Sequence, residues 1–386
     1  MTSQTAVALV SPRTLGAINV LISTLNASEV LIKVQYALFG AADGHAVADQ
    51  GYVYAYPQVL GSTCVGIVLE VGDDVKHLAK GDVVGTFTQP GADRATQQFV
   101  VAPGCRVSKI PENQSIRPVN VAAMLSSFVT AWWTLSDSLK LPLPARFPAE
   151  GIPVKIDYDT NTPVLIWGAG TASGQFTTQL FKLSGFTNII GVASSRSAAA
   201  AFERGATHVV NYNDADVADQ IKRLVPDTAN PIRLAVDTIA TTHSLREMSK
   251  VVTEAGSRVA VLMPFKPAAG GQDTGHINEG GGAKFVLEIP QEHNPFSKQV
   301  EVVPVYTYRW ESNPDLKENL LVNVFPELIR RGLIQSQPVR LFKDGSLTER
   351  VQNAATLVQK NELKGDRAVI DFSVLSPSCL INDLLE

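Results

Sequence analysis

Thr162-Pro-Val-Leu-Ile-Trp-Gly-Ala-Gly-Thr-Ala-Ser-Gly174 is the stretch that decides the fold. Its four apolar residues, Val164 to Trp167, predict a short buried strand of a parallel sheet. Apolar residues at helical spacing follow, and Gly185 ends that pattern. The glycines between strand and helix allow a tight turn that leaves backbone N–H groups at the helix start facing an anion. The pattern predicts a site for the pyrophosphate of a dinucleotide, formed by Gly168, Gly170, Thr171, Ala172, Ser173 and Gly174.

The glycine spacing departs from the usual dinucleotide-binding fingerprint. It is G-x-G-x-x-x-G, one residue longer, with Ser173 where the third glycine would fall. A glycine turn alone is a weak signal. The apolar strand before it and the helical pattern after it make the nucleotide site the favoured interpretation.

Length and composition are those of a globular protein with more than one domain. The chain has 386 residues, of which 45% are hydrophobic and 18% are charged. A formal net charge of -4 without a basic cluster argues against nucleic acid or an anionic membrane as partner. No apolar run approaches the ~20 residues that span a bilayer, and the start lacks the pattern of a signal peptide. Three distant cysteines, Cys64, Cys105 and Cys379, fit a reducing compartment, so a cytoplasmic location is expected.

The order of strand and helix patterns predicts three segments. Residues 1–117 carry short strand patterns typical of a compact, barrel-like domain. Residues 118–312 alternate strand and helix, which predicts a doubly wound parallel sheet. Residues 313–386 have strands of their own, so both ends are expected to build one domain around the inserted sheet. The predicted strands of the sheet are Val164–Trp167, Asn188–Ala193, Thr207–Tyr212, Ile232–Asp237, Arg258–Leu262 and Glu301–Tyr306.

Other segments carry weaker patterns. Continuous helices are predicted over Val121–Leu135, Asn319–Arg331 and Ser346–Lys360. The glycine-rich stretch Pro264–Gln299 is either a flap over the active site or disordered surface. Pro304 removes one backbone donor from the last predicted strand of the sheet, which favours a monomer over a dimer joined at that strand.

The residues after the second strand indicate which dinucleotide is bound. An NAD site needs a carboxylate there for the ribose diol, but no Asp or Glu occurs between Gly174 and Glu203. The strand is followed instead by serines and an arginine, whose hydroxyls and guanidinium suit the 2′-phosphate of NADPH. The serines also suit a helix cap, and both roles are compatible. The predicted cofactor is therefore NADPH, held by Ser194, Ser195, Arg196 and, after the third strand, Tyr212.

Several motifs resemble the medium-chain dehydrogenase/reductase superfamily: Pro57–Val68 followed by Glu70-Val-Gly72, Leu78–Val84, Trp167–Gly174 and Gly205–Tyr212. The tryptophan before the glycines and the Thr-Ala-x-Gly ending are most similar to fungal trans-acting enoyl reductases that serve polyketide synthases. Quinone oxidoreductases belong to the same superfamily. The resemblance implies a GroES-like β-rich catalytic domain from both termini, a Rossmann nucleotide-binding domain inserted in it, and an active site in the cleft.

The same resemblance bears on zinc. Zinc-dependent members have a cysteine in the stretch matching Phe39–Asp43 and a Gly-His-Glu where this chain has Gly61-Ser-Thr63. Cys105 stands alone where their structural-zinc lobe holds four cysteines, and the six histidines form no pair at zinc-binding spacing. No metal is therefore predicted, and reduction of an activated double bond is favoured over alcohol oxidation.

The resemblance also supplies catalytic candidates. Some zinc-free relatives use a tyrosine after the first active-site loop as an acid, and Tyr52 is the nearest match, with Tyr54 and Tyr56 close by. Tyrosines near a strand edge usually only pack. Asp43 matches an aspartate common in the zinc-free branch. His45 stands where the fungal enoyl reductases have lysine, and it is either a donor to an oxyanion or phosphate or a solvated loop histidine.

By the same resemblance, Thr130, Ile239 and Leu262 line the nicotinamide end of the cofactor, although an ordinary core would place such residues there too. The predicted function is NADPH-dependent, zinc-independent reduction of the C=C bond of an enone or enoyl thioester. The substrate is a small molecule or is carrier-bound, with a polyketide synthase of secondary metabolism as partner. The alternatives are quinone reduction and a non-catalytic relative that keeps the nucleotide site.

Overall fold

The computed structural model describes residues 3–88, 94–112, 116–144, 156–226, 229–267 and 286–373. These residues form two compact units. The first unit contains the described residues up to Leu125 and from Ser336 onward, and the second unit contains those from Ser126 to Gln335. The domain boundaries after residues 117 and 312 remain a prediction from the sequence.

Strands and helices are numbered here in chain order. The strands are β1 Ser3–Ser11, β2 Thr14–Leu21, β3 Glu29–Phe39, β4 Gln58–Val59, β5 Thr63–Val71, β6 Val83–Phe87, β7 Phe99–Pro103, β8 Val107–Lys109, β9 Val164–Trp167, β10 Ile189–Ala193, β11 His208–Asn211, β12 Leu234–Asp237, β13 Arg258–Leu262, β14 Glu301–Val305, β15 Val339–Phe342 and β16 Arg367–Asp371. The α-helices are α1 Ala41–Val47, α2 Pro118–Ala122, α3 Leu125–Trp133, α4 Ala172–Leu183, α5 Ala198–Arg204, α6 Val217–Leu224, α7 Thr242–Ser249, α8 Pro314–Asn319, α9 Phe325–Arg330 and α10 Leu347–Gln359.

The first unit is built on two sheets. A three-stranded sheet has the order β2-β1-β4, and a seven-stranded sheet has the order β15-β16-β3-β5-β6-β8, with β7 also paired to β3. Strand β16, from the far end of the chain, pairs antiparallel with β3, so that Ala368 lies opposite Phe39. The two ends of the chain therefore share one sheet.

A bulge in β3 sets which side chains enter the core of the first unit. The register between β3 and β5 shifts between Val34 and Tyr36. Ile32 and Val34 enter the core before the shift, and Ala37 and Phe39 enter it afterwards. Because a bulge inserts one residue, it changes which member of each alternating pair faces inward. Phe39, the last residue of β3, is therefore buried in the core just before α1 begins.

The second unit confirms the predicted doubly wound sheet. Its six described strands are all parallel and run in the order β11-β10-β9-β12-β13-β14. Strand β9 is central and each of its four residues is buried, as expected for a strand covered on both faces. Each strand lies within the bounds predicted from the sequence. All six carboxyl ends therefore meet at one edge of the sheet, where ligands bind in such folds.

Two of the predicted long helices are broken in the structure. The pattern over Val121–Leu135 corresponds to α2, α3 and a π-helical turn, Thr134–Ser138, in which the Thr134 hydroxyl donates to the Thr130 carbonyl at 2.7 Å. The pattern over Asn319–Arg331 contains another π-helical turn before α9, whose first turn holds Pro326. Proline has no N–H to donate, so it cannot continue an α-helical ladder.

Half of the glycine-rich stretch predicted as a flap or disordered surface, residues 268–285, lies outside the described residues. Of its two described ends, residues 264–267 and 286–299, the second contains the short 3₁₀ turn Gln291–His293. Among the described residues, no helix combines the length and the apolar character needed to cross a membrane.

Glu327 on α9 gives the second unit a pH-dependent contribution to stability. Arg330 and Arg331 donate to its carboxylate at 2.7 and 2.5 Å, and hydrogen bonding to Arg330 is the main cause that lowers the Glu327 pKa to about 2. A lowered folded-state pKa stabilises the fold above the unfolded value near 4.5. That stabilisation is lost as the pH falls towards 2.

We expect Glu327→Gln to lower the free energy of unfolding at pH 7 by about 0.5–1 kcal/mol, because the ion pairs are partly exposed. The difference from wild type should shrink between pH 4.5 and pH 2, which urea unfolding at several pH values would measure. Glu318→Gln is the control, since Glu318 is exposed and forms no ion pair with a described residue. A constant difference across this pH range would contradict the assignment.

Candidate functional site

A glycine turn joins β9 to α4 at the carboxyl edge of the parallel sheet. Gly168 has a φ of +82°, and a Cβ there would lie 2.3 Å from the Thr238 Oγ1. A Cβ at Gly170 would lie 2.3 Å from the Ser197 Oγ, and one at Gly174 would lie 2.1 Å from the Gly168 carbonyl oxygen. Side chains are thus excluded at all three glycines, and Gly174 is where the helix comes closest to the turn.

Two threonine hydroxyls tie this turn to the neighbouring strand β12. The Thr238 Oγ1 lies 3.1 Å from the carbonyl oxygens of Trp167 and Gly168, and it must be the donor because carbonyls only accept. Thr171 therefore donates to Thr238 across 2.9 Å, while its own oxygen accepts from the Gly174 N–H at 3.0 Å. Both hydroxyl protons are used inside the turn.

The start of α4 is suited to an anion. Thr171 is the N-cap of this 12-residue helix, whose first turn contains no acidic residue. The N–H groups of a helix start and the positive end of its dipole favour phosphate. The residues predicted for the pyrophosphate, including Ala172 and Ser173, lie in this turn or in the first turn of the helix.

The serines after β10 have different roles in the structure. Ser194 and Ser197 are bonded to each other, with their oxygens 2.9 Å apart, and the Ser197 N–H also donates to Ser194 at 3.3 Å. The N-cap of α5 is Ser197, which makes no side-chain capping bond, so the structure does not support the capping interpretation; Ser194 is engaged within the turn instead. Ser195 is exposed and its oxygen accepts from the Asn211 side chain at 3.0 Å, which leaves its proton available to a ligand.

Arg196 and Tyr212 lie exposed at the ends of adjacent strands. Arg196 belongs to the turn that follows β10, and Tyr212 directly follows β11, with its N–H donating to the Ala193 carbonyl at 3.3 Å. The ion pairs among the described residues do not include Arg196. Glu203, the first acid after the glycine turn, lies exposed on α5. A guanidinium, a phenol and one free hydroxyl are thus presented at this corner of the sheet.

Ile239 is held firmly beside the glycine turn. A Cβ at Gly168 would lie 2.8 Å from the Ile239 Cγ1, so the two residues are in contact. The Asp237 carboxylate accepts from the N–H groups of Ile239 and Ala240 at 2.9 and 3.0 Å, and from the Ser244 hydroxyl at 2.5 Å. Burial raises the Asp237 pKa, and these donors oppose the shift. The hydrogen bonds that Asp237 accepts hold Ala240 at a φ of +57°.

Leu262 and Thr130 lie near the ends of the next strands. Leu262 is the last residue of β13 and is half-buried. Thr130 on α3 donates to the Ser126 carbonyl at 2.8 Å, so Thr307, which follows β14, must donate to Thr130 across 3.0 Å. The predicted lining residues therefore accompany the carboxyl ends of β12, β13 and β14.

Sequence reasoning missed Thr238, Asp237, Thr307 and Asn211 at this edge. Each is a polar residue at or just after the end of an apolar strand, which is the signal that marks them. Their partners lie far away in the sequence: Thr171 and Thr238 are 67 positions apart. Only the strand order brings them together.

In the first unit, Asp43 is a buried residue whose carboxylate links separate segments of the chain. It lies in the first turn of α1 and is 1% exposed. Its carboxylate accepts from the N–H groups of Gly40 and Gly61, both at 2.8 Å, and from the Arg94 guanidinium at 3.1 Å. These bonds hold the start of α1 against two other segments of the unit.

His45 and Tyr52 lie near each other in the same unit. The His45 ring is buried, with its Nδ1 2.8 Å from the Gln50 amide oxygen, and its centroid is 6.5 Å from that of Tyr52. Because an amide oxygen only accepts, Nδ1 carries the proton. Tyr52 is half-buried against the core at a φ of +64°, whereas Tyr54 is 69% exposed.

The donor set of this region does not fit zinc. Within the described ranges, no three His, Cys, Asp or Glu side chains are grouped so as to hold a metal ion. Of the stretches where zinc-dependent relatives have ligands, Phe39–Asp43 offers one carboxylate that already accepts three hydrogen bonds. Gly61–Thr63 offers only hydroxyls, which are not the Cys or His donors that zinc prefers.

Two protein-family models match the chain. The alcohol dehydrogenase GroES-like domain matches residues 26–112, and the zinc-binding dehydrogenase family matches residues 172–274. The first match lies in the first unit and the second in the second unit.

Curated relatives include fungal enoyl reductases. The chain is 30% identical over 255 residues to the trans-enoyl reductase fsa3 of Fusarium sp. (strain FN080326), covering 64% of this chain and 67% of that protein. It is 25% identical over 347 residues to lovC, the enoyl reductase component of the lovastatin nonaketide synthase of Aspergillus terreus, covering 89% and 88%.

Solved structures show the same fold. The CurK enoyl reductase superimposes with a TM-score of 0.71 at 18% identity, covering 95% of this chain and 99% of that chain. The quinone oxidoreductase of Pseudomonas syringae pv. Tomato DC3000 gives 0.70 at 16% identity, with the same coverage. The chain belongs to the medium-chain dehydrogenase/reductase superfamily. It is an oxidoreductase of that superfamily, whose members bind a nicotinamide cofactor.

Proposed function

We propose that this protein is an NADPH-dependent, zinc-independent reductase of an activated C=C bond in an enoyl thioester or enone. The observation that carries the cofactor choice is the corner at the ends of β10 and β11. Arg196 and Tyr212 are exposed there, and Ser195 has a hydroxyl proton free for a ligand. No carboxylate stands in this turn to bind the ribose diol of NADH.

Each part of the cofactor has residues that would hold it. The pyrophosphate would bind the N–H groups at the start of α4 and the turn Gly168–Thr171. The 2′-phosphate would accept from Ser195, Arg196 and Tyr212. Ile239, Leu262 and Thr130 would line the nicotinamide end. When bound, the cofactor supplies a hydride.

The chain itself must manage charge and protons in this reduction. In such a reduction the β-carbon of the acceptor would gain the hydride, the electron pair of the C=C bond would move towards the carbonyl oxygen, and the α-carbon would then take a proton. We assign the proton to the Tyr52 hydroxyl, with His45 as its neighbour; because the Nδ1 proton of His45 goes to Gln50, His45 would donate to an oxyanion or phosphate only as the imidazolium, through Nε2. Asp43, whose carboxylate is occupied by three donors, holds the start of α1, the helix that carries His45.

The substrate class follows from the fungal relatives. Two of them are named as a trans-enoyl reductase and as the enoyl reductase component of a nonaketide synthase. This supports a carrier-bound polyketide intermediate as substrate and a polyketide synthase as partner. Quinone reduction is the second candidate, supported by the shared fold of a quinone oxidoreductase and by the same cofactor corner.

A steady-state assay tests the proposal. The oxidation of NADPH and NADH is followed at 340 nm with an enoyl thioester, a simple enone and a quinone, with and without EDTA. We expect turnover with NADPH and the thioester, unchanged by the chelator. Turnover of the quinone alone favours the second candidate. Tight NADPH binding without any turnover would mean that the protein keeps the nucleotide site without catalysis.

The role of the Thr238 hydroxyl in the glycine turn can be tested by substitution. Thr238→Val keeps the shape of the side chain but leaves the Thr171 proton and the Gly168 carbonyl without their partner. We expect the dissociation constants of NADPH and NADH to rise about three- to tenfold, equivalent to the ~1 kcal/mol of one hydrogen bond. Calorimetric titration measures this. Thr238→Ser keeps the hydroxyl and should bind as wild type does; equal weakening in both variants would refute the role of the bond.

A further inference from the structure

A buried polar chain runs behind the glycine turn and connects it to helix α5. The Gln175 side-chain N–H donates to the Gly170 carbonyl at 3.0 Å, and the Gln175 side-chain oxygen accepts from the Arg204 Nε at 3.4 Å. Arg204 also donates through its Nη1 to the Gln335 side-chain oxygen. Gln175 is 3% exposed and Arg204 is 8% exposed. These contacts lie inside the second unit.

The orientation of the Gln175 amide is fixed by its two neighbours. A carbonyl oxygen can only accept and a guanidinium can only donate, so the amide nitrogen must face Gly170 and its oxygen must face Arg204. Turning the amide over would lose both bonds at once. Gly170 is also confined from the other direction, because a Cβ there would lie 2.3 Å from the Ser197 Oγ.

This arrangement has an electrostatic consequence for the turn. A carbonyl oxygen that faced an incoming phosphate would repel it, whereas N–H groups attract it. Gln175 binds the Gly170 oxygen on the side of α4, and the guanidinium polarises the amide that does so. Burial lowers the Arg204 pKa, yet an arginine remains charged at neutral pH, so a positive charge lies one side chain behind the turn.

We infer that Gln175 and Arg204 form a positioning pair for the cofactor pyrophosphate, fixing the Gly170 carbonyl away from the anion and adding positive potential behind the turn. The pair acts on the diphosphate that NADPH, NADH and ADP share, and not on the 2′-phosphate. This inference rests on the proposed nucleotide-binding function but not on the choice between NADPH and NADH.

Gln175→Glu separates positioning from a merely structural role. Glutamate keeps an acceptor for Arg204, and a carboxylate binds a guanidinium more strongly than an amide does. It has no N–H for the Gly170 carbonyl, and it places a negative charge behind the turn. We therefore expect dissociation constants for NADPH, NADH and ADP each raised about tenfold, with a melting temperature close to that of Gln175→Met, because the stronger bond to Arg204 offsets the contact between two acceptor oxygens at Gly170. Gln175→Met removes both bonds without adding charge, and should weaken all three ligands about threefold.

Calorimetric titration of the full chain with the three ligands, together with thermal unfolding, decides the matter. Weaker binding of all three ligands by a common factor, larger in Gln175→Glu than in Gln175→Met at a similar melting temperature, supports the pair. Unchanged binding in Gln175→Glu overturns it, and so does a loss confined to NADPH. A wild-type protein that binds ADP and NADH but not NADPH would defeat the proposed cofactor choice while leaving this test intact. A wild-type protein that binds none of the three ligands defeats both.

Discussion

Replacing Gly174 with alanine is expected to lower the free energy of unfolding by more than about 3 kcal/mol, the upper range for overpacking a close contact. The new Cβ would lie 2.1 Å from the Gly168 carbonyl oxygen and 2.9 Å from the Ala169 Cα. Both neighbours are backbone atoms of the turn after β9, so neither can move aside as a side chain would. The start of α4 must then shift, and the proposed dinucleotide site would be lost with it. Urea unfolding and titration with NADPH measure the two effects.

Gly16→Ala is the matched control for this substitution. A Cβ at Gly16 would meet only the methyl groups of Val10, at 3.4 and 3.5 Å, and Gly16 is not among the residues with positive φ. We expect its free energy of unfolding to stay within about 1 kcal/mol of wild type. A Gly174→Ala protein as stable as the Gly16→Ala protein, with intact binding, would show that helix and turn are not as closely packed as described.

Arg196→Ala is expected to raise the dissociation constant of NADPH about ten- to a hundredfold, while that of NADH changes by less than about twofold. Hydrogen bonds to charged groups contribute ~1.5–3 kcal/mol, and the 2′-phosphate is the part that NADH lacks. Because Arg196 is exposed, the difference should also decrease as the salt concentration rises. Fluorescence titrations with both cofactors, at low and high salt, measure the ratio.

Arg246→Ala serves as the control for charge. Arg246 is an exposed residue of α7 in the same unit, so its removal changes the net charge equally without touching the turn after β10. It should leave the ratio of the two dissociation constants unchanged. Equal losses of NADPH and NADH binding in Arg196→Ala would place the 2′-phosphate elsewhere.

The parallel sheet could be predicted from the sequence because each of its strands is a short apolar run with its own boundaries. Val164–Trp167 is buried along its whole length, and the periodic helix behind it begins at a good N-cap, Thr171. The helix breaks could not be predicted from periodicity. The apolar periodicity of the sequence continues past Thr134 and past Pro326. The backbone hydrogen-bonding pattern nevertheless changes near both residues.

The residues of the candidate site also fall into those that the sequence predicts and those that it does not. The glycine turn and the serines with Arg196 are contiguous in sequence, so their spacing alone predicts them. Thr238 and Arg204 act through partners in other elements, and no local pattern reports a hydroxyl that bonds a residue 67 positions away. Hydrogen-bond direction was also beyond the sequence: it distinguishes Ser195, with a free proton, from Ser194, which is engaged within its turn.

The pairing of β3 with β16 has a consequence for the order of folding during synthesis. The second unit possesses all six described strands once the ribosome has released the chain as far as Val305, whereas Tyr36–Phe39 of β3 must wait for Ala368–Asp371. Until then the edge of β3 that faces away from β5 is unpaired there, and an unpaired strand edge is a template for aggregation. A nascent or prematurely terminated chain therefore has a complete parallel sheet in its second unit, while the seven-stranded sheet of its first unit still has an unpaired edge that chaperones would need to protect.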